Sequence, residues 1–491
     1  MKHKNFSEVI YDFMRITRMK MKDLADYLDY DISYINKWVN GKNIPSQKIA
    51  ESILESLALY FGKKIYDDSL EEQLAQLSER KVNAKSLDSV IAITRSILID
   101  GFYASQAALE EEAGMKKQSY TETVIEQYEI MQRAFLEIEK AISLAEEEVN
   151  IYITLDMYQL FRKIFAADEV FYVTRGVKVN VYWLMEKDAI IFNTGLENEL
   201  YYLMGKCSYF NTYVYLADKI YTLPYILIDD RLVMNFITDV KKEIVFMNLS
   251  NEKHVLAEYK KMNKRLFKDQ QLILYATDDE SLEFDILMDS IALDGNRFIM
   301  HGVFPEGYFL TEEVLKDVII RYKLTQAQRK NLLKLRRAIE TVVKDYSIVL
   351  LISKKALIQF MPKMQICLGP HVFQLTPEEL KKCEENRDRI ISQNPNVKFG
   401  IIEDEIYPYK IFDQGITVCC SQNHIWFKKN LIFLDDNVNP YYTVCSQEIV
   451  DIVGNFTEGL NYNNNFFQWI DYKSYCVLIE GIIASSNDLE N

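Results

Sequence analysis

The chain has 491 residues, 49% of them hydrophobic and 13% aromatic, enough for two to four domains with buried cores; this excludes a disordered or fibrous chain. Its formal charge of −15 excludes polyanion binding over most of the surface and confines it to a local patch. No apolar run reaches the ~18 residues that a bilayer span needs, and MKHKNFSEVIYDF leads straight into a polar-faced helix, so no leader, no membrane contact and a cytoplasmic location are expected.

Charge is uneven along the chain. Residues 1–66 hold 11 Lys/Arg against 8 Asp/Glu, a net of +3, whereas residues 67–150 hold 8 against 18, a net of −10, and residues 151–491 carry −8. Only the first segment suits a polyanion. There, apolar residues recur at helical spacing over Phe6 to Met19, Lys22 to Leu28 and Ser33 to Val39. Only Asp29 to Ile32 separate the second helix from the third, with Asp31 placed to cap the third through its carboxylate. Two short helices on so tight a turn cross steeply. Leu24, Ala25, Leu28, Ile35 and Trp38 then face inward, and Gly41 ends the third helix in a left-handed conformation, with Pro45 leading to a fourth over SQKIAESILESLALYF.

LADYLDYDISYINKWVNGKNIP resembles the helix-turn-helix of Cro and phage-repressor regulators, the XRE family. Leu24, Ala25, Leu28, Ile35, Trp38, Gly41, Lys42 and Pro45 fit that pattern in one ungapped register, over about 60 of 491 residues. It departs at two points. Asp29 stands where the turn usually has Gly, and Lys20-Met21 stands where the second helix usually starts with Ser, Thr or Gln. The resemblance implies DNA binding, with the third helix in the major groove. Ile32, Ser33, Tyr34, Asn36 and Lys37 are then the candidates for base edges, Lys37 suiting guanine and Ile32 a thymine methyl. Asn40, Lys42 and Asn43 suit phosphates, and Lys20 or Lys22 replaces the missing phosphate contact at the start of the second helix.

Residues 67–135 read as an acidic helical linker and candidate dimerisation segment: SLEEQLAQLSER, SLDSVIAITRSILIDGFYASQAALEEEAG, then a long helix over TETVIEQYEIMQRAFLEIEKAISLAEEE. Between Asp67 and Asn150 the clusters Glu110–Glu112 and Glu146–Glu148 read as solvated faces rather than metal ligands. After Asn150 the period turns strand-like in VNIYITL, EVFYVT, VKVNVYWLM, SYFNTYVYLAD, YILIDDRLVMNFI and EIVFMNL, with helices such as LENELYYLMG between, so the remainder is α/β.

This remainder matches itself. Leu136–Ile142 (LEIEKAI) answers Leu333–Ile339 (LKLRRAI), and Pro224–Phe236 (PYILIDDRLVMNF) answers Pro408–Cys420 (PYKIFDQGITVCC), in the same order. An internal duplication is expected, with repeats at 136–332 and 333–491, residues 136–250 superposing on 333–436, and Asp229 equivalent to Asp413. The layout is similar to phospholipase D-like domains, which pair two such repeats. Catalytic members carry His-x-Lys-x4-Asp in each repeat. Counting back from Asp229 and Asp413 finds Thr222 and Pro224, and Ile406 and Pro408, so covalent phosphodiester chemistry has no nucleophile. The resemblance thus implies an inactive fold, of the kind that TrmB-type regulators use to sense small molecules.

Seven cysteines (207, 367, 383, 419, 420, 445, 476) form no CxxC pair, and five histidines form no HExxH, so neither a disulfide framework nor a zinc site is expected, and no cofactor is implied. The 32 tyrosines, Tyr201-Tyr202 and Tyr441-Tyr442 among them, read as strand-rich core rather than a pocket lining. The fold expected is multidomain: an all-α helix-turn-helix domain (1–66), the helical linker, then a duplicated α/β region. The function expected is non-enzymatic, a sequence-specific transcription regulator that binds an inverted-repeat operator in double-stranded DNA as a homodimer and senses a small molecule or peptide. The alternatives are a DNA-targeted defence or mobile-element protein with an effector activity, and a protein-binding adaptor.

Overall fold

The computed structural model describes residues 4–78, 87–112, 119–125, 127–155, 173, 176–187, 210–220, 222–239, 243–277, 281–292, 297–302, 307–354, 357–358, 361–369, 371–402, 416–420, 425–429, 441–447, 450–451 and 467–487. These fall into two compact units, one up to Leu272 and the other from Ile273 onward.

The first unit begins with six helices: α1 (Phe6–Thr17), α2 (Met21–Leu28), α3 (Ile32–Val39), α4 (Gln47–Asp67), α5 (Glu71–Leu77) and α6 (Leu87–Glu112). They share one core. Phe6, Val9, Ile10 and Phe13 of α1, Leu24 and Ala25 of α2, and Ile35 and Trp38 of α3 join Ile53, Leu57 and Phe61 of α4 and Val90, Ile93, Leu98 and Phe102 of α6. Phe13 stacks on Phe61 at 5.2 Å, and Phe6 meets Phe102 edge-on at 5.9 Å.

Glycine in a helix interior costs ~1 kcal/mol relative to alanine, so its presence there calls for a packing reason. On α4, a Cβ at Gly62 would lie 2.8 Å from Ile91 Cγ1 and 2.9 Å from Ile91 Cα; on α6, one at Gly101 would lie 2.8 Å from Val9 Cγ2 and 3.4 Å from Phe6 Cα. These two positions let α6 lie directly on α4 and α1. At the start of α1, the Phe6 N–H, which has no partner within its helix, donates to Ser105 Oγ of α6 at 2.8 Å.

The next helix, α7 (Gln127–Ser143), leads to the sheet. Arg95 of α6 holds Glu139 of α7 through two bonds, at 2.5 and 3.3 Å, and Gln132 Nε2 donates to Glu51 Oε1 of α4 at 2.8 Å. The strands are β1 (Thr121–Val124), β2 (Glu148–Ile153), β3 (Lys178–Glu186), β4 (Phe210–Ala217), β5 (Tyr225–Ile228), β6 (Leu232–Thr238) and β7 (Ile244–Ser250), in the order β1-β7-β6-β5-β2-β3-β4. β2, β3 and β4 run parallel, and all other neighbours are antiparallel. Register across the parallel strands is marked by side chains. Asn150, Asn180 and Asn211 form an amide ladder with 2.9 Å bonds, and Tyr152, Tyr182 and Tyr213 stack at 4.9 and 5.3 Å.

In the second unit β8 (Gln271–Thr277), most of which lies beyond the boundary, is followed by β9 (Arg297–Gly302), β10 (Ser347–Ser353), β13 (Val397–Ile402), β14 (Ile416–Cys420), β15 (Ile425–Lys429), β16 (Tyr441–Val444) and β17 (Phe467–Ile470). Their order is β8-β16-β15-β14-β9-β10-β13-β17, while β11 (Gln365–Leu368) and β12 (His371–Gln374) form a separate hairpin. β9, β10 and β13 are parallel, and β14, β15, β16 and β8 alternate. With β17 set aside, the seven strands repeat the order and directions of the first unit. An α/β region with an internal repeat is therefore present, its strand sets running over Thr121–Ser250 and Gln271–Val444.

The repeat runs in a different register from the one read in the sequence. The helix Gln326–Asp345, which contains LKLRRAI, leads into β10, the counterpart of β3; the helix that stands where α7 stands is Leu282–Ala292, before β9. Both heptapeptides are amphipathic helix ends entering a strand, which is why they match. Likewise β14 occupies the place of β5, not of β6 as the tyrosine-proline match requires. Ile228 pairs with Ile151 just before Asp229, and in the other unit Cys420 pairs with Ile299. In the chain Asp413 comes before β14, whereas Asp229 comes after β5. Asp413, with Ile406 and Pro408, lies outside the described residues, as do EVFYVT apart from Val173, LENELYYLMG and Tyr201-Tyr202. Thr121–Val124, expected within a helix, is an edge strand paired with β7. Tyr441 and Tyr442 are fully buried core residues.

The shared core predicts where the DNA-binding piece ends. Val90, Ile93, Leu98 and Phe102 each contribute ~1.5–3 kcal/mol on burial, together comparable to the ~5–15 kcal/mol stability of a whole domain. A fragment 1–112 should melt cooperatively by circular dichroism and a fragment 1–66 should not; equal melting of both would contradict the shared core.

Candidate nucleic-acid interface

The pair α2 and α3 is set by its caps. The Lys20 N–H donates to Asp23 Oδ2 at 3.2 Å, opening α2, and Lys20 and Lys22 are exposed on its first turn. α2 ends at Asp29, which has φ +55° and donates its N–H to Ala25 O. That left-handed conformation is what glycine usually supplies; Asp tolerates it, so the turn keeps its shape without glycine.

Asp31 caps α3 by accepting from the Ser33 N–H at 2.8 Å. Hydrogen bonds from Ser33 hold the Asp31 carboxyl below the usual carboxylate range. At the other end Gly41, with φ +65°, donates to Trp38 O at 3.1 Å, and Lys42 N–H donates to Lys37 O at 2.9 Å, the paired bonds of a Schellman cap. A Cβ at Gly41 would also lie 3.1 Å from Ser7 Oγ of α1.

Between these caps Ile35 and Trp38 are buried, so the opposite face of α3 is open. Ile32 and Tyr34 are each 49% exposed, and Ser33, Asn36, Lys37, Asn40, Lys42 and Asn43 are exposed as well. Eight of the ten residues singled out in the sequence thus lie on α3 and the turn after it, and Lys20 and Lys22 stand at the start of α2. Their arrangement is ordered by contacts. Tyr30 leans on Trp38 at 5.6 Å and meets Tyr34 edge-on at 6.1 Å, and Lys37 Nζ sits 5.3 Å over the Tyr34 ring. Asn40 Nδ2 donates to Asn36 O at 2.8 Å and to Asn36 Oδ1 at 2.5 Å, and Asn43 Oδ1 accepts from the Ile44 N–H at 2.9 Å. Tyr30 was not picked out in the sequence; its i, i+4 spacing to Tyr34 is the signal that could have found it.

Lys4, just before α1, and Arg15 on it are paired with Asp12, at 2.9 and 2.8 Å. In the α/β region Asp229 serves the hairpin: with φ +41° it accepts from the Asn150 N–H at 3.0 Å and donates its own N–H to Asn150 O at 3.0 Å. Thr222 Oγ1 is buried with no hydrogen-bond partner, and Pro224 O accepts from the Phe236 N–H at 2.8 Å. Cys367 and Cys383 are buried thiols; the Cys367 Sγ donates to Gly369 O at 3.3 Å, and burial pushes Cys383 up to about 12. Among the described residues no group of three or more His, Cys, Asp or Glu could hold a metal, and no helix is long and apolar enough to cross a membrane.

Residues 18–62 match the helix-turn-helix family model, of the XRE type. No curated protein matches the chain in sequence. Among solved structures it is similar to NucT from Helicobacter pylori, with 17% identity over 31% of this chain and 98% of that one and a TM-score of 0.21. It is also similar to TrmBL2, described as an archaeal chromatin protein with a novel mode of DNA binding, with 14% identity, 45% and 94% coverage and a TM-score of 0.21. A third similar structure is a phosphatidylserine synthase of Haemophilus influenzae Rd KW20, with 10% identity, 78% and 97% coverage and a TM-score of 0.24.

The cap at Asp31 gives α3 a pH dependence. Its folded carboxyl is depressed, so its contribution is present above the unfolded value and is lost as pH falls through the folded one. Asp31→Asn keeps an acceptor oxygen without the charge. Wild type should exceed this variant in melting temperature at neutral pH and lose that margin as pH falls below about 4; a margin independent of pH would contradict the cap.

Proposed function

From an XRE-type helix-turn-helix at residues 18–62, we propose that this DNA-binding regulator is a sequence-specific transcription regulator that reads double-stranded DNA as a homodimer, with its α/β region sensing a small molecule or peptide. The observation that carries the reading is the open face of α3, fixed at both ends by caps and from below by Ile35 and Trp38. Ile32, Ser33, Tyr34, Asn36 and Lys37 meet base edges, while Lys42 and Asn43 after the helix, and Lys20 and Lys22 at the start of α2, lie toward phosphates; Asn40, also expected there, has its amide N–H groups engaged by Asn36.

Charge favours two copies per site. Residues 1–66 carry only +3 against −18 on the rest, and Lys4 and Arg15 are already paired, so one copy makes few phosphate contacts and binds weakly at physiological salt. A two-fold dimer on inverted half-sites one helical turn apart, about 34 Å, doubles those contacts.

The bonds Arg95–Glu139 and Gln132–Glu51 tie α7 to α6 and α4. A ligand that favours one position of α7 therefore biases the helical core that presents α3, by population shift rather than by direct contact with DNA. The repeated strand order supports a phospholipase D-like region, and Thr222 and Pro224 stand where the catalytic pattern has His and Lys.

Titration of duplex DNA at two salt concentrations, with sedimentation of the complex, tests this. Lys37→Ala should cost about 1–3 kcal/mol and relax preference at one base pair, whereas Lys42→Ala should weaken all sequences alike and reduce the salt slope by about one. A monomer on DNA, or unchanged affinity and preference in Lys37→Ala, would overturn the reading.

A further inference from the structure

Asn36 and Asn40 lie one turn apart on the exposed face of α3, and their amides are locked in a fixed order. Asn40 turns its amide onto the Asn36 main-chain oxygen at 2.8 Å. A carbonyl oxygen only accepts, so the atom that Asn40 presents is the donor Nδ2. The same Nδ2 lies 2.5 Å from the Asn36 side chain, so the Asn36 atom facing it must be the acceptor Oδ1. The backbone thus fixes one amide, and that amide fixes the next. Asn36 Oδ1 points back along the helix at Asn40, and the edge left for a ligand is Nδ2, which carries two N–H donors.

Next to it in the chain is Lys37, whose ammonium only donates and is steadied over the Tyr34 ring at 5.3 Å. The polar centre of α3 is therefore a donor surface. In the major groove guanine alone presents two acceptors side by side, N7 and O6, whereas adenine pairs its N7 acceptor with an N6–H2 donor and cytosine presents an N4–H2 donor.

Resting on the DNA-binding reading above, we infer that Asn36 and Lys37 select guanine acceptors, and that Asn40 is a positioning residue that sets Asn36 against adenine and cytosine. Asn40 acts through Asn36, because its own donor is engaged there. An unconstrained asparagine engages adenine with both amide atoms; here that contact requires Asn36 to turn its oxygen away from Asn40.

The experiment is selection from a synthetic duplex library with randomised positions, using the full chain, followed by competition among duplexes that differ at one base pair. Wild type should enrich guanine at the Asn36 position, and replacing that guanine with 7-deazaguanine, which lacks N7, should weaken binding on the order of tenfold. Asn40→Ala frees the Asn36 amide to turn, and adenine should rise toward parity with guanine. Asn40→Asp places an acceptor beside Asn36, which reverses the amide and exposes Oδ1, so preference should move to adenine or cytosine whatever happens to overall affinity. A purely structural role for Asn40 would lower affinity and leave the base preference unchanged in both variants, and that result would overturn the inference. Enrichment of adenine by the wild-type chain would overturn it as well. A chain that retains no duplex at any salt would instead remove the DNA-binding reading itself, and this inference with it.

Discussion

The packing of α6 across α1 and α4 is the constraint on which the rest of the first unit depends. Gly62 and Gly101 bring the backbones close enough for Ile91, Val9 and Phe6 to fill the gap, and Ser105 satisfies the first N–H of α1. The recognition face of α3 is only as fixed as Ile35 and Trp38 beneath it, and those two side chains belong to the same core. A helix of 8 residues has little stability of its own. Its geometry is set by capping and by that core, which makes α6 a part of the DNA-binding domain rather than a linker after it.

The same arrangement joins the two ends of the proposed function. An acidic chain holds DNA through a small basic surface, so geometry must supply what charge does not. Caps at Asp31 and Gly41, the Tyr30–Tyr34–Lys37 contacts and the Asn36–Asn40 bond leave few side chains on that surface free to choose their orientation. Pre-ordered side chains lose less entropy on binding and discriminate more sharply. Through Arg95 and Glu139, α6 is also bonded to α7, the helix that leads into the sheet.

The helix-turn-helix was legible in the sequence because its signals are local. A cap, a glycine at the helix end and a run of apolar spacings each depend on a few neighbouring residues, and Asp31, Gly41, Leu24, Ala25, Ile35 and Trp38 behave as their positions imply. The departure at Asp29 proves harmless because Asp enters the left-handed region. What the sequence could not show is where the domain's core ends: nothing in SILIDGFYASQ says which helix it will lie on, since Gly101 matters through its close approach to Val9 and Phe6 of a distant helix. The α/β repeat was visible as a pattern but not in register. Short strands share a period of two residues and a few apolar types, so Pro408–Cys420 fits more than one strand, and only the hydrogen-bonded neighbour of β14 decides which. The Asn36–Asn40 pair had a sequence signal, its i, i+4 spacing, but the direction of the amides follows from the backbone oxygen and needs coordinates.

The most direct test of the shared core is native-state amide exchange in the full chain and in a Gly101→Val variant. The account predicts that amides in α3 and in α6 open with the same free energy in the wild type, and that the variant lowers both by the same amount although it alters nothing on α3. Faster exchange in α6 with α3 protected as before would contradict the claim that one core holds the recognition helix.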